Sequence, residues 1–390
     1  MAKNWANRAR EMESFKVMDL LKRASELSAT GRDIVHLGAG EPDFGASPMV
    51  IERAKQLLDS QALSYTAAGG IQPLREAIAQ FHQQRYGHTI SASQVLVTAG
   101  ASAGLMLAFA LVAEKGTNFL MADPAYPCNR QFLRLVEAQA KLVPVDHQHN
   151  FQLNAELVEQ HWDSCTAGVL IASPANPTGA VIDPDELVKI AALVKAKGGQ
   201  LIVDEIYHGL TYGASAPTAI SIDPDAIVIN SFSKFFGMTG WRLGWLVAST
   251  EAIAEMEKMT QNLFISASTL AQYAALAAFE PESMALFESR RLELQARRDL
   301  LLSGLLDLGF KVPLAPEGAF YIYADASELT CDSFSWCWRL LEEAGVVASP
   351  GADFGHNNAE RFVRFAYTTS QERIREALQR IARFIADQSG

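Results

Sequence analysis

No stretch of the sequence is apolar for long enough to cross a bilayer; the longest, Leu105 to Ala113, is about half of what a spanning helix needs. The opening MAKNWANRAREMESFK is charged throughout and lacks the apolar segment and small-residue cleavage site of a secretory signal, so a cytoplasmic protein is expected. Cysteine is scarce. Cys128, Cys165, Cys331 and Cys337 form no C-x-x-C pair, which fits reduced thiols better than a disulfide framework. No cysteine or histidine pair has zinc-ligand spacing, His147 and His149 in HQHN read as a solvated turn, and no metal is expected. Positive charge is also short. Lys and Arg number 33 against 44 Asp and Glu, giving a net charge of -11 and a pI near 5.3. With no basic cluster to offset it, that balance repels a phosphate backbone, and nucleic acid is not an expected partner. Repeats and low-complexity segments are missing as well.

What is present is a chain of 390 residues with apolar material for two or three domains. From about Gly69 to Ser249, helical patterns alternate with short β-rich runs. GGIQPLREAIAQFHQQRYG places Ile71, Leu74, Ile78 and Phe81 at helical spacing, with Pro73 in the first turn and Gly87 as a stop. VLVT from Val95, FLMAD from Phe119, GVLIA from Gly168, QLIVD from Gln200 and IVINS from Ile227 are continuously apolar, as strands buried on both faces should be. This pattern predicts an α/β domain with a mostly parallel sheet. After one long helix over Pro281 to Gly309, strands such as AFYIYA and RFVRFAY alternate with helices, predicting a smaller α+β domain. The expected division is 46–290 for the large domain, with 1–45 and 291–390 forming the small one.

Ligands of open α/β sheets bind outside the carboxyl ends of the strands, so the residues just past each strand sample the site. VLVT leads into AGASAG and a helix, where backbone N–H groups at Gly100, Ala101 and Ser102 suit a phosphate. FLMAD leads to Tyr126, GVLIA to Asn176 in SPANPTG, QLIVD to Asp204 and then Tyr207, and IVINS to Ser231, Ser233 and Lys234. Each has a local explanation of its own: Asn-Pro starts turns, aspartate caps helices, and a lysine beside apolar residues commonly sends its ammonium into water. Together they gather an aromatic face, an amide, a carboxylate, a phenol, two hydroxyls and a lysine around one crevice. Lys234 stands among Phe232, Phe235 and Phe236, and desolvation there lowers a lysine's pKa and makes it a nucleophile. The set suits pyridoxal 5'-phosphate, whose aldehyde condenses with Lys234 and whose ring nitrogen Asp204 keeps protonated. Tyr207 and Asn176 can bond the phenolic oxygen, Tyr126 can stack on the ring, and Arg242 with the hydroxyls can neutralise the phosphate.

LGAGEPDF, SYTAAGGIQPLREA, SPANPTG, VDEIYHGL, SFSKFFGMTGWRLGW and FVRFAY, in that order, resemble the class I aminotransferases of pyridoxal-phosphate fold type I, in particular their bacterial aspartate aminotransferase-like branch. The resemblance implies an enzyme that moves the amino group of an L-α-amino acid to a 2-oxo acid in two half-reactions. It makes Lys234 the Schiff-base lysine and Asp204 the pyridinium partner. Asn176 and Tyr207 take the phenolic oxygen; Ser231, Ser233, Arg242 and the turn at Ala101 and Ser102 take the phosphate. Arg364 grips the substrate α-carboxylate with the Gly40 backbone and Asn176. Tyr65 reaches the phosphate of a neighbouring subunit, implying a homodimer. The sequence departs from the aspartate-specific members that place a lysine in the phosphate turn, because Ser102 stands there. The segment expected near the substrate side chain offers Phe15, Val17 and Met18, which leaves the amino acid open.

Three other readings compete. IVHLGAG resembles a strand entering a dinucleotide fingerprint, but Gly40 is followed by Glu41 and Pro42 where a further glycine and a helix are required. A carbon-sulfur lyase acting by β-elimination on the same fold shares every cofactor contact. A non-enzymatic pyridoxal-phosphate-binding regulator lacks support, since the chain has no N-terminal helix-turn-helix module and is acidic.

Overall fold

The computed structural model describes residues 5–60, 63–213 and 216–388. Short strand β1 (Val35–His36) precedes a central sheet built from β2 (Val95–Thr98), β3 (Asn118–Asp123), β4 (Gln139–Pro144), β5 (Thr166–Ala172), β6 (Gln200–Asp204), β7 (Ile227–Ser231) and β8 (Gly244–Val247). Its order is β2-β8-β7-β6-β5-β3-β4, and every pairing is parallel except those of β8, which runs antiparallel to β7 and β2. Alternate residues face opposite sides of a strand. Val203 and Val228 accordingly enter one apolar cluster while Ile202, Ile227 and Ile229 enter another. Burial on both faces is the reason these strands read as unbroken apolar runs.

The five strands expected in the large domain are all present, and β4 and β8 accompany them in the same sheet. Strand β4 lies at an edge and carries Gln139, Lys141 and Pro144, residues that blunt an edge rather than announce a strand. Strand β8 is only four residues long. The helix Gln72–Tyr86 has proline in its first turn and ends on Gly87, whose φ of 66° suits the left-handed cap. The helix Ala101–Val112 lies on one face of the sheet and buries Leu105, Ala108 and Phe109.

Beyond the long helix Pro281–Asp307, strands β9 (Tyr321–Asp325), β10 (Val346–Val347), β11 (Ser349–Pro350) and β12 (Phe362–Ala366) form two small sheets. One is antiparallel with the order β11-β12-β9; in the other, β1 pairs in parallel with β10. The first part of the chain is therefore stitched to the last, and the Ala366 amide also donates to the Leu37 carbonyl at 2.6 Å. Among the described residues no helix is long and apolar enough to cross a membrane.

Candidate active site

The carboxyl ends of β2, β5, β6 and β7 open onto a cavity of about 460 Å³ that β12 and the segment after β1 close from the other side. Lys234 follows β7, and its Nζ donates to the Gly40 carbonyl at 2.6 Å while standing 5.5 Å from the centre of the Phe320 ring and 5.7 Å from that of Tyr207. Burial, reinforced by the nearby charges of Arg364 and Arg242, pushes its pKa down to about 8. The expected apolar surroundings differ in identity. Phe232, Phe235 and Phe236 turn into the core against one another, Trp245 and Phe287, so the rings under the amine are Tyr207 and Phe320.

Asp204 ends β6 and is 6% exposed. Its Oδ1 accepts from the Ile206 amide at 3.1 Å, and burial raises its pKa to about 6. A carboxylate destabilised in this way at a cavity wall suits a cationic partner. Tyr207 bonds the hydroxyl of Tyr321 at 2.9 Å.

At the end of β2 the chain turns through Gly100, with φ +80°, into the helix beginning at Ala101, whose first amides have no intrahelical acceptor. A Cβ on Gly100 would lie 2.6 Å from Nη2 of Arg242, so the absence of a side chain lets the guanidinium close over the helix start. Ser102 lines the same cavity. Ser231 Oγ donates to Ser233 Oγ at 3.0 Å and accepts from the Ser233 amide at 3.0 Å. Helix N-terminus, arginine and hydroxyls together form an anion cradle.

Across the cavity Arg364, on β12, is 4% exposed. Nη1 donates to Asn176 Oδ1 at 2.9 Å; Nη2 donates to the Gly38 carbonyl at 2.9 Å and to Ser349 Oγ at 3.1 Å. Its guanidinium carbon lies 4.2 Å from the Tyr321 ring centre and 4.7 Å from that of Phe354, and buried Nε has no hydrogen-bond partner among the described residues. The Gly40 backbone thus meets Lys234, and it is Gly38 that meets Arg364. Tyr126 lines the cavity with its ring 6.3 Å from that of Phe15. Tyr65 is 83% exposed and is not part of this cavity wall.

Gly38, Tyr321, Ser349, Asp353 and Phe354 also line this site, and their part in it was not evident from the sequence. Only the repeated aromatics of AFYIYA hinted at Tyr321; the others carry no local signal. The donor set nevertheless fits pyridoxal 5'-phosphate: an anion cradle at one end, a destabilised carboxylate at β6, a lysine of lowered pKa between them, and a second anion grip at Arg364 with an unpartnered N–H.

Residues 32–381 match the family Aminotransferase class I and II. The chain is 40% identical over 376 residues to the valine–pyruvate aminotransferase of Mycobacterium tuberculosis, spanning 96% of this chain and 97% of that one. A crystal structure of an aminotransferase from Mycobacterium tuberculosis superposes with a TM-score of 0.96 at 40% identity, covering 99% of this chain and all of the other. The aspartate aminotransferase of Thermus thermophilus with maleate gives 0.92 at 33% identity, over 98% of this chain and all of its own. The sheet, the site at its strand ends and these likenesses agree: the chain belongs to the class I and II aminotransferases, pyridoxal-phosphate enzymes, and is an aspartate aminotransferase-like transaminase.

Proposed function

We propose the following division of labour for the transfer of an amino group from an L-α-amino acid to a 2-oxo acid. Gly100, Ala101, Ser102, Ser231, Ser233 and Arg242 hold the cofactor phosphate; Asn176 and Tyr207 bond its phenolic oxygen, Tyr126 covers its ring, and Asp204 pairs with its ring nitrogen. When bound, pyridoxal phosphate supplies an electron-withdrawing ring and the carbon that receives the amino group. Arg364 orients the substrate through its α-carboxylate, with Asn176 and the backbone near Gly40 alongside. Nζ of Lys234 carries the cofactor, takes the α-proton and returns it. An amine with a pKa near 8 is suited to both tasks, because it holds and releases a proton close to neutral pH. The observation that carries this reading is the enclosure of Lys234, Asp204 and Arg364 in one cavity.

The same reading takes residues 46–290 as the cofactor lobe and residues 1–45 with 291–390 as the second lobe. Residues 1–4, 61, 62, 214, 215, 389 and 390 lie outside the described residues. It also takes the working form as a cytoplasmic homodimer in which Tyr65 serves the neighbouring subunit. Exposed Leu63, Tyr65, Leu263 and Ile265 support such a covered face, since the Thr269 hydroxyl holds the Ser64 carbonyl at 2.6 Å and brings the two segments together. Sedimentation should give twice the 42.5 kDa chain mass.

The experiment that tests the activity adds one amino acid alone to the holoenzyme. A transaminase converts its cofactor stoichiometrically to pyridoxamine phosphate with one oxo acid released per site, and pyruvate or 2-oxoglutarate restores the original spectrum. Many turnovers to pyruvate and ammonia, with no amino form of the cofactor, mark the lyase instead.

A further inference from the structure

We propose that the amino acid taken by this site has an uncharged apolar side chain, aliphatic or aromatic, in preference to aspartate or glutamate. The proposal rests on the transaminase reading and adds the substrate class to it. The cations that line the cavity are Lys234, Arg242 and Arg364. Lys234 is engaged in the reaction, Arg242 closes on Gly100 at the anion cradle, and Arg364 is already bonded to Asn176 and Gly38 at the α-carboxylate end. Among the described residues of this chain, no further cation lines the cavity to meet a second substrate carboxylate.

The wall contributed by the N-terminal segment is apolar. Phe15, Val17, Met18 and Leu21, from the start of the helix Lys16–Ala29, line the cavity together with Tyr126 and Pro127. That segment is fixed in place by Asp353, whose two carboxylate oxygens accept from the amides of Lys16 at 2.7 Å and Val17 at 2.9 Å. Nearby positive charge is directed elsewhere. Lys16 Nζ lies 5.5 Å from the centre of the Phe334 ring, and Arg130 donates to the Asp353 carbonyl at 3.4 Å and pairs with Glu13 at 3.7 Å. A distal carboxylate entering here meets the carboxylates of Asp353 and Glu41 and loses water without gaining a counter-ion, whereas an apolar chain removes its own surface and that of Phe15, Val17 and Leu21 from water.

The test measures the second-order rate constant for cofactor conversion by single amino acids. It also measures the dissociation constants of the unreactive carboxylates 4-methylpentanoate and succinate from the shift in cofactor absorbance. Leucine, methionine or phenylalanine is expected to exceed aspartate by at least about tenfold, the scale on which apolar pockets discriminate, and 4-methylpentanoate to bind about tenfold tighter than succinate. Phe15→Ala should narrow the leucine-to-aspartate ratio of rate constants about tenfold, and Val17→Arg should narrow it by about as much. Fastest conversion by aspartate or glutamate, with succinate the tighter ligand, overturns the proposal and leaves the transaminase reading standing. Fastest conversion by lysine or ornithine also overturns it and points to Glu41 as the selecting charge. If no amino acid converts the cofactor, the transaminase reading fails, and a ratio of the two dissociation constants near one removes the apolar preference as well.

Discussion

The Asn176 side-chain oxygen accepts a 2.9 Å hydrogen bond from Nη1 of Arg364, joining the loop after β5 to strand β12 across the cavity. The same guanidinium bonds Gly38 and Ser349 and lies over Tyr321, so its plane is set before any substrate arrives. A lysine cannot reproduce that fork or its stacking. Arg364→Lys is expected to raise KM about a hundredfold across several amino acids, the usual scale for losing one partner of a buried charged pair, while cofactor affinity changes little. An unchanged KM removes Arg364 from substrate binding.

Asp204 is held in a state that burial disfavours. The rise from 3.8 to about 6 corresponds to a cost of roughly 3 kcal/mol, absent below pH 3.8 and complete above pH 6, because the folded chain keeps its proton longer than the unfolded one. Cofactor-free Asp204→Asn is therefore expected to be more stable than the parent by about 2 to 3 kcal/mol at pH 7, with the advantage fading as pH falls through that window. The holoenzyme variant should lose most of its turnover. Urea unfolding of both apo chains at pH 4 and 7 measures this, and a less stable Asp204→Asn chain contradicts it.

For Lys234 the sign is opposite. Its amine is disfavoured as a cation, so the apo chain bears the full cost below pH 8, and stability recovers as pH rises from about 8 towards 10.5. Capture of pyridoxal phosphate should quicken with pH up to about 8 and then level off, because the neutral amine is the attacking form. Stopped-flow capture across that range, followed by borohydride reduction and peptide mapping, should place the pyridoxyl adduct on Lys234. Capture independent of pH, or an adduct elsewhere, rejects the assignment.

Gly100→Ala adds a methyl group where Nη2 of Arg242 stands 2.6 Å from the would-be Cβ, on a residue with φ +80°. Arginine can swing away, and the cradle then loses its cation. Affinity for pyridoxal phosphate is expected to fall at least about tenfold, in line with the loss of a charge-assisted hydrogen bond. Fluorescence titration of the apo variant reads this directly, and parental affinity would show that Arg242 does not hold the phosphate.

Five strands of the large sheet were legible because burial on both faces leaves an unbroken apolar run, and Asn176, Asp204 and Lys234 could be placed beside the cavity because they stand at or just beyond the ends of those strands. Strand β8 was not, because its antiparallel course between β7 and β2 depends on neighbours elsewhere in the chain. Gly38 and Tyr321 were silent for a related reason: each acts through a partner more than a hundred positions away, and nothing in the adjacent residues encodes it. The phenylalanines beside Lys234 misled in detail, since sequence neighbours after a strand turn towards the core as readily as towards the cavity.

The pairing of β1 with β10, and of Gly38 with Arg364 some 326 positions later, has a consequence for how the enzyme is made. Synthesis proceeds from the N-terminus, and contacts this distant in sequence form last. A nascent chain that has emerged just past Val247 owns all seven strands of the large sheet and Lys234, yet Val35 and Gly38 still wait for partners that have not been synthesised. The bond between Gly38 and Arg364 comes into being only after the segment Phe362–Ala366 has been made. A prematurely terminated product that stops short of Phe362 would retain Lys234, Asp204, Ser231, Ser233 and Arg242 in sequence, but not Arg364 on the opposite wall of the cavity.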